Sequence, residues 1–256
     1  MTPRPCAVIP VYNHHRHLGE VVAALRAQAL PVLLVDDGSE SVTARTIDAL
    51  ATQDGVECLR LEHNRGKGAA VLAGIAHVAA QGFTHALQVD ADGQHDLADA
   101  PRLLDLAARH PHHLVSGTPR YDDSVPAVRF YGRYLTHALV WLETLSLSLV
   151  DSMCGFRVYP ATETLALMQR SRIGARMDFD TDIMVRLYRA GVESVFLPTR
   201  VHYPQDGVSH FRMLRDNLRM TWLHVRLLAS LPWHAPALLR RTLARRRRQL
   251  QGEAMP

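Results

Sequence analysis

The chain has 256 residues, 47% of them hydrophobic, which suffices for one large globular domain with a sizeable core, alone or with an appendage. Its three cysteines are odd in number and widely spaced, which excludes a disulfide framework and a cysteine metal site. No stretch reaches about 18 uninterrupted apolar residues, and residues 1–5 lack a signal-peptide pattern. We therefore expect a cytosolic protein with reduced thiols and no membrane-spanning helix.

Short apolar runs alternate with helical patterns through the first half of the chain. Strands are predicted at residues 6–12, 32–35, 56–61, 84–89 and 114–116, and helices at residues 21–30, 42–51, 69–80 and 98–108. Strand–helix alternation with short connections is typical of a doubly wound, mostly parallel sheet with flanking helices on both faces. The sequence therefore predicts an α/β fold.

The regular alternation stops after Gly117. Further strands are predicted at residues 156–159 and 192–197, and further helices at residues 130–150, 162–170, 182–190 and 217–231. Pro232 and Pro236 are expected to break the helical pattern that follows. We expect one unit at residues 1–215 and an amphipathic, arginine-rich helical extension at residues 216–256.

The fourth predicted strand ends abruptly in Asp90 and Asp92, which Gly93, Gln94 and His95 follow. In open α/β sheets, ligands bind outside the carboxyl ends of the strands. Two carboxylates and the Gln94 oxygen at such an end can hold a hard divalent cation that bridges to phosphate. The alternative is a solvated Asp-Gly turn, since both residue types are common in turns.

Three predicted strand ends carry polar or acidic groups: Tyr12-Asn13, Asp36-Asp37 and the acidic pair just described. The tips of parallel strands lie on one edge of the sheet, so these segments predict a nucleotide site with a metal for the diphosphate. No G-x-G-x-x-G follows the first strand and no P-loop motif is present, so this is not a dinucleotide fingerprint. The Gly-Lys-Gly turn at residues 66–68 is either a ligand contact or a helix entry.

Six motifs follow one another along the chain: P-V-Y-N, V-D-D-G-S, N-R-G-K-G-A-A, D-A-D-G-Q-H, G-T-P-R and D-S-M-C-G-F-R-V-Y. Together, over residues 7–210, they resemble family 2 glycosyltransferases, and in particular the polyprenyl-phosphate (dolichol-phosphate mannose-type) sugar transferases. The resemblance implies a GT-A-type nucleotide-sugar-binding fold, a Mg2+ or Mn2+ cofactor, and inverting transfer without a covalent intermediate. Residues 1–215 would then form the catalytic domain.

The resemblance also implies a role for each matching residue on the donor side. The base and ribose would be bordered by Pro10, Tyr12 and Asp37, with Asp36 as the alternative within its pair. Lys67 would lie near the nucleotide, and Arg120 would contact the donor phosphate. The metal on the diphosphate would be held by Asp90, Asp92 and Gln94.

On the acceptor side, the resemblance implies that three arginines face the acceptor phosphate, namely Arg129, Arg133 and Arg157, with Asp151 near the reacting centre. The chain departs from the family pattern at His14, where the family commonly has Glu. It also departs at residues 203–210, which lack the family's Arg and have His210 in place of Lys. The lost charge could be replaced by Arg200, Arg212 or Arg215, and His210 is either a ligand of metal or phosphate, or structural.

The acceptor decides whether a general base is needed. A phosphate acceptor is already ionised, whereas a hydroxyl acceptor requires a base, for which Asp151 and Asp182 are the candidates. Asp182 could instead open a helix, where an acid favourably meets the helix dipole. We expect transfer of a hexose from a UDP- or GDP-sugar to a lipid-linked, polyprenyl-phosphate-like acceptor. The alternatives are transfer to a hydroxyl of a glycolipid or hydrophobic metabolite, and a non-catalytic nucleotide-sugar-binding protein on the membrane.

The C-terminal helical pattern is amphipathic and basic. Leu218, Trp222 and Val225 share one side, arginines lie among them, Trp233 follows, and six arginines stand between positions 240 and 248. These features favour peripheral attachment to the inner face of a membrane over nucleic-acid binding, for which interleaved aromatics are missing. The alternative is a helix that packs on the sheet and a solvated arginine tail.

Overall fold

The computed structural model describes residues 3–120, 127–201 and 213–250. Within these ranges, seven strands form one sheet: β1 (Pro5–Val11), β2 (Val32–Asp36), β3 (Val56–Arg60), β4 (His85–Gln88), β5 (Leu114–Arg120), β6 (Arg157–Pro160) and β7 (Ser194–Arg200). Their order is β3-β2-β1-β4-β6-β5-β7, and neighbours are parallel except where β6 runs antiparallel to β4 and β5. The prediction of a doubly wound, mostly parallel sheet is confirmed, and the antiparallel insertion of β6 is an addition to it.

Eight helices flank this sheet in the described ranges: α1 (Leu18–Ala27), α2 (Ser41–Leu50), α3 (Lys67–Ala80), α4 (Ala100–Arg109), α5 (Ala127–Thr144), α6 (Ala161–Arg170), α7 (Phe179–Ala190) and α8 (Met213–Leu250). A short 3-10 turn, Leu97–Asp99, precedes α4. Gly191 ends α7 in the left-handed conformation, which a residue without Cβ adopts readily.

The core has two layers, one on each face of the sheet. Because successive side chains of a strand point to opposite faces, Ile9 and Val11 of β1 pack with α1, α2 and α4. Cys6 and Val8 instead face the layer that contains α3, α7 and α8. Gly74 brings α3 close to β1, since a Cβ there would lie 2.4 Å from Val8 Cγ1. Both layers hold the strand tips of the sheet in fixed register.

The predicted break at Pro232 and Pro236 is wrong, because α8 continues through both prolines. Both are exposed and lie four residues apart on one face, so the carbonyls that they leave without an intrahelical donor are on the solvent side. Buried Leu227 and Leu238 fix the helix to the core on either side of the prolines. The two predicted units therefore share one apolar layer, although the boundary at residue 215 itself stays a prediction.

Other element boundaries shift by a few residues. The helix predicted to reach residue 150 ends at Thr144, and Leu145 has a positive φ of 49°. The predicted strand 114–116 extends to Arg120, so G-T-P-R is part of β5 and pairs with β7. Within the described ranges, none of the helices combines the length and hydropathy needed to cross a bilayer.

Candidate functional site

The carboxyl ends of β1, β2 and β4 meet at one edge of the sheet, as predicted. In the parallel register Val11 pairs with Asp36, and the Val89 amide donates to the Val8 carbonyl at 3.1 Å. Asp90 therefore emerges beside the end of β1. Lys67, the first residue of α3, reaches the same edge from the layer below.

Lys67 lies between two carboxylates. Its Nζ is 2.9 Å from the Asp90 carboxylate and 3.0 Å from Oδ2 of Asp180, and all three side chains are largely buried. Burial alone would lower the pKa of Lys67, but the charges of Asp180 and Asp90 outweigh it and raise that pKa. Burial alone would raise the pKa of Asp90, yet Lys67 and His95 hold it well below the ordinary value. The positive charge of Lys67 is thus held in a fixed position. The Gly-Lys-Gly turn both begins α3 and places this charge between the two carboxylates.

Sequence reasoning missed Asp180. It stands at the start of α7, 113 residues along the chain from Lys67, so no local spacing connects the two. The available signal was the density of acids in D-F-D-T-D at residues 178–182, which exceeds what a helix N-terminus needs.

A buried polar layer supports the two carboxylates. The Gln88 amide approaches Asp90 Oδ1 at 3.5 Å and Asp180 Oδ1 at 3.4 Å, and the Tyr159 hydroxyl donates to Gln88 Oε1 at 2.9 Å. Arg157 is fully buried and donates from Nη1 to the Asp180 carbonyl at 2.6 Å. The guanidinium of Arg157 thus lies beneath the acids, between β6 and α7, and its contact with an acceptor phosphate stays a prediction.

The predicted metal ligands occupy the turn after β4. Asp92 Oδ1 accepts from the Gln94 amide at 3.1 Å, and both burial and the neighbouring Asp90 raise the pKa of Asp92. His95 stacks on Phe156 with ring centroids 5.1 Å apart, and its Nε2 is 3.7 Å from Asp90. Among the described residues, no three His, Cys, Asp or Glu side chains converge around a point where a metal would sit. Two hard carboxylates at a strand end still fit Mg2+ or Mn2+, since these ions are commonly held by one or two carboxylates together with substrate phosphates.

The carboxylates of Asp36 and Asp37 are both buried, and both accept hydrogen bonds from other parts of the chain. Asp36 accepts from Arg60 Nε and from the Ser39 amide, each at 2.8 Å. Asp37 accepts from the amides of Arg65 and Gly66 at 2.7 and 2.8 Å, and burial raises its pKa. Asp37 therefore fixes the loop that delivers Lys67. A contact of either acid with the base or ribose stays a prediction.

Pro10 and Tyr12 line the end of β1 and are half-buried. Asn13 follows with a positive φ of 55°, and its Oδ1 accepts from the Glu40 amide at 2.8 Å. This bond ties the end of β1 to the start of α2. The two predicted nucleoside contacts thus lie at the same edge as Asp36 and Asp37.

The D-S-M-C-G segment forms one wall of the site. Asp151 is buried, and its Oδ1 accepts from the amides of Met153 and Cys154 at 2.8 and 2.9 Å, which closes a turn. The turn brings in Gly155, where a Cβ would be 2.4 Å from Asp90 Oδ2 and 2.8 Å from Lys67 Nζ. A side chain at position 155 would therefore displace Asp90 and Lys67 from their present arrangement.

Asp182 lies within α7, three residues after its start, and is fully buried. It accepts from the Gly174 amide at 2.7 Å and from Arg186 Nε at 2.6 Å. Four predicted site residues fall outside the described side chains and are not placed: Arg120, Arg129, Arg133 and His210.

Residues 6–172 match the family model for glycosyl transferase family 2. The chain belongs to this family. This family 2 glycosyltransferase is 29% identical over 238 residues to the polyprenol monophosphomannose synthase of Mycolicibacterium smegmatis, covering 85% of this chain and 84% of the relative. It is 30% identical over 207 residues to the undecaprenyl-phosphate mannosyltransferase of Micrococcus luteus, covering 76% and 82%.

Solved structures share the fold. Glucosyl-3-phosphoglycerate synthase from Mycobacterium tuberculosis, in complex with Mn2+ and UDP-glucose, matches with a TM-score of 0.63 at 15% identity, over 90% of this chain and 79% of that chain. The predicted GT-A-type fold of this glycosyltransferase is thereby confirmed.

Proposed function

We propose that this glycosyltransferase transfers a hexose from a UDP- or GDP-sugar to a polyprenyl phosphate, with inversion and with Mg2+ or Mn2+ bound. The observation that carries the proposal is the charged cluster of Lys67, Asp90 and Asp180 at the carboxyl edge of the sheet. Open α/β sheets bind their ligands at this edge. The names of the Mycolicibacterium and Micrococcus relatives support a lipid-phosphate acceptor.

Asp90, Asp92 and Gln94 would hold the divalent cation on the donor diphosphate. When bound, the cation supplies charge stabilisation to the departing nucleoside diphosphate. Lys67 presents a permanent positive charge beside it, which is held in place before the reaction begins. The Asp37-bound loop fixes Lys67, and Gly155 leaves the space for it.

The state of the acids favours a phosphate acceptor over a hydroxyl acceptor. A hydroxyl nucleophile needs a base within hydrogen-bond reach. Asp151 and Asp182, the two candidates, are buried and accept hydrogen bonds from backbone amides. Asp180 forms an ion pair with Lys67. An acceptor phosphate brings its own negative charge and requires none of them.

The outer surface of α8 supports peripheral attachment to a membrane. Leu223 and Leu227 pack into the core, which agrees with the alternative of a helix on the sheet. The opposite side of the same helix nevertheless presents Leu218, Trp222 and Trp233, which are 62–79% exposed. The adjacent α5 adds exposed apolar side chains at Tyr134, Leu135 and Leu142. An apolar face beside the arginine-rich end of α8 suits an anionic lipid surface, the cytoplasmic one in this proposal.

Donor consumption tests the proposal. Release of UDP or GDP from a panel of nucleotide hexoses is followed with Mn2+ or EDTA, and with polyprenyl phosphate, the matching polyprenol or neither. We expect one donor to be consumed rapidly only with Mn2+ and polyprenyl phosphate together. Stimulation by polyprenol instead would favour a hydroxyl acceptor. Binding of a nucleotide sugar without consumption under any condition would favour a non-catalytic binding protein.

A further inference from the structure

The position of Lys67 raises a problem for metal binding. Its ammonium already forms an ion pair with the carboxylate of Asp90, one of the two acids that would bind the cation. A divalent cation that approaches Asp90 therefore meets a positive charge already in place. Two cations on one buried carboxylate repel each other strongly, since the effective dielectric is lower than in water.

We infer that Asp180 is a positioning residue that holds Lys67 while Asp90 turns to the divalent cation. The inference rests on the proposed metal role of Asp90. Lys67 Nζ is as close to Asp180 as to Asp90, at 3.0 and 2.9 Å, so the ammonium keeps a full anionic partner when it loses the other. Without Asp180, Lys67 has Asp90 as its remaining carboxylate and competes with the metal.

The backbone keeps Lys67 and Asp180 together. A Cβ on Gly68 would lie 2.6 Å from both the Gly174 carbonyl oxygen and Phe179 Cβ, so the first turn of α3 is packed tightly against the segment that opens α7. The Ala69 amide donates to the Ala175 carbonyl at 3.2 Å across the same junction. Lys67 and Asp180 thus approach from two helix ends that are fixed against each other.

Asp180 itself is held from below. Arg157 Nη1 donates to its carbonyl at 2.6 Å and lies 3.9 Å from its Oδ1, and the Gln88 amide faces the same oxygen at 3.4 Å. Oδ1 therefore faces Gln88 and Arg157, and Oδ2 faces Lys67. This division leaves one oxygen of Asp180 dedicated to Lys67.

A double-mutant cycle on Mn2+ affinity separates this role from a structural one. Mn2+ binding is measured by electron paramagnetic resonance on wild type, Asp180→Asn, Lys67→Met and the double variant, with UDP or GDP present. We expect Asp180→Asn to weaken Mn2+ binding about tenfold, and to change it less than twofold when Lys67 is already Met. Asp178→Asn is the matched control, since its Oδ1 accepts from the Arg176 amide and it is two residues from Asp180.

A tenfold loss that persists in the Lys67→Met background would overturn the inference, because Asp180 would then act without Lys67. Wild-type Mn2+ affinity in Asp180→Asn would overturn it as well. If wild type itself binds no Mn2+ with either nucleotide, the proposed metal role of Asp90 fails and the inference fails with it. Circular dichroism and the Tm of each variant report folding separately.

Discussion

Gly155→Ala tests the geometry of the site without removing a polar group. The added Cβ would lie 2.4 Å from Asp90 Oδ2, 2.8 Å from Lys67 Nζ and 3.0 Å from Asp90 Cγ, whereas ordinary contact begins near 3.4 Å. The carboxylate must therefore retreat by about 1 Å, the difference between 3.4 and 2.4 Å. A displacement of about 1 Å at a reacting group can lower the rate about 100-fold. Crowding of a packed site costs about 1–3 kcal/mol of stability.

The assay compares sugar transfer, Mn2+ affinity and Tm for Gly155→Ala and a control, Gly19→Ala. Gly19 lies in α1 with nothing within 4 Å of an added Cβ, so we expect unchanged transfer there and a gain of roughly 0.5–1 kcal/mol in the free energy of unfolding. For Gly155→Ala we expect transfer to fall about 100-fold while the protein remains folded. Wild-type transfer and Mn2+ affinity in a folded Gly155→Ala protein would refute the importance of the Asp90–Lys67 arrangement.

Three further predictions concern the metal, the membrane and a thiol. Asp92→Asn should weaken Mn2+-dependent binding of UDP or GDP about tenfold or more by calorimetry without changing the circular dichroism, and equal wild-type affinity with EDTA and with Mn2+ would contradict the metal role. Trp222→Ser should reduce sedimentation with anionic liposomes at low salt. The control Val42→Ser, at a side chain of α2 that is 51% exposed, should not. Equal sedimentation of both variants would contradict attachment through the exposed face of α8. Burial raises the pKa of Cys6 from 9.0 to about 12, so its thiol should not react with Ellman's reagent in the native protein at pH 8. The free energy of unfolding should fall as pH rises from 9 towards 12, because only the thiol of the unfolded chain ionises in that range. A reactive native Cys6 in a Cys58→Ser background would disprove that burial.

The βα alternation could be predicted because each element carries its own periodicity. The strand tips followed from it, since parallel strands end at a common edge. The place of β6 could not be predicted, because its antiparallel pairing with β4 joins residues about seventy positions apart, such as Ala86 and Tyr159. The continuation of α8 through two prolines also depended on tertiary packing that local propensity does not contain.

Within the site, the residue types indicated which side chains are charged but not which groups they bind. The sequence presented Asp36 and Asp37 as free acids at a strand tip, yet their carboxylates accept hydrogen bonds from Arg60 and three backbone amides. The sequence indicated the charge of Arg157 but not that its side chain is fully buried beside the Asp180 carbonyl. Asp180 was missed because its connection to Lys67 exists only after α3 and α7 pack together. Such pairings are set by long-range contacts, which a single sequence does not reveal.

Identification of the product tests the proposed transfer to a lipid phosphate most directly. The protein is incubated with Mn2+, the panel of UDP- and GDP-hexoses, and equal amounts of polyprenyl phosphate and polyprenol of the same chain length. Mass spectrometry should then find one hexose added to polyprenyl phosphate and none added to polyprenol, and nuclear magnetic resonance should find the anomeric configuration inverted relative to the donor. A hexose on polyprenol, or a retained configuration, would contradict the proposed reaction.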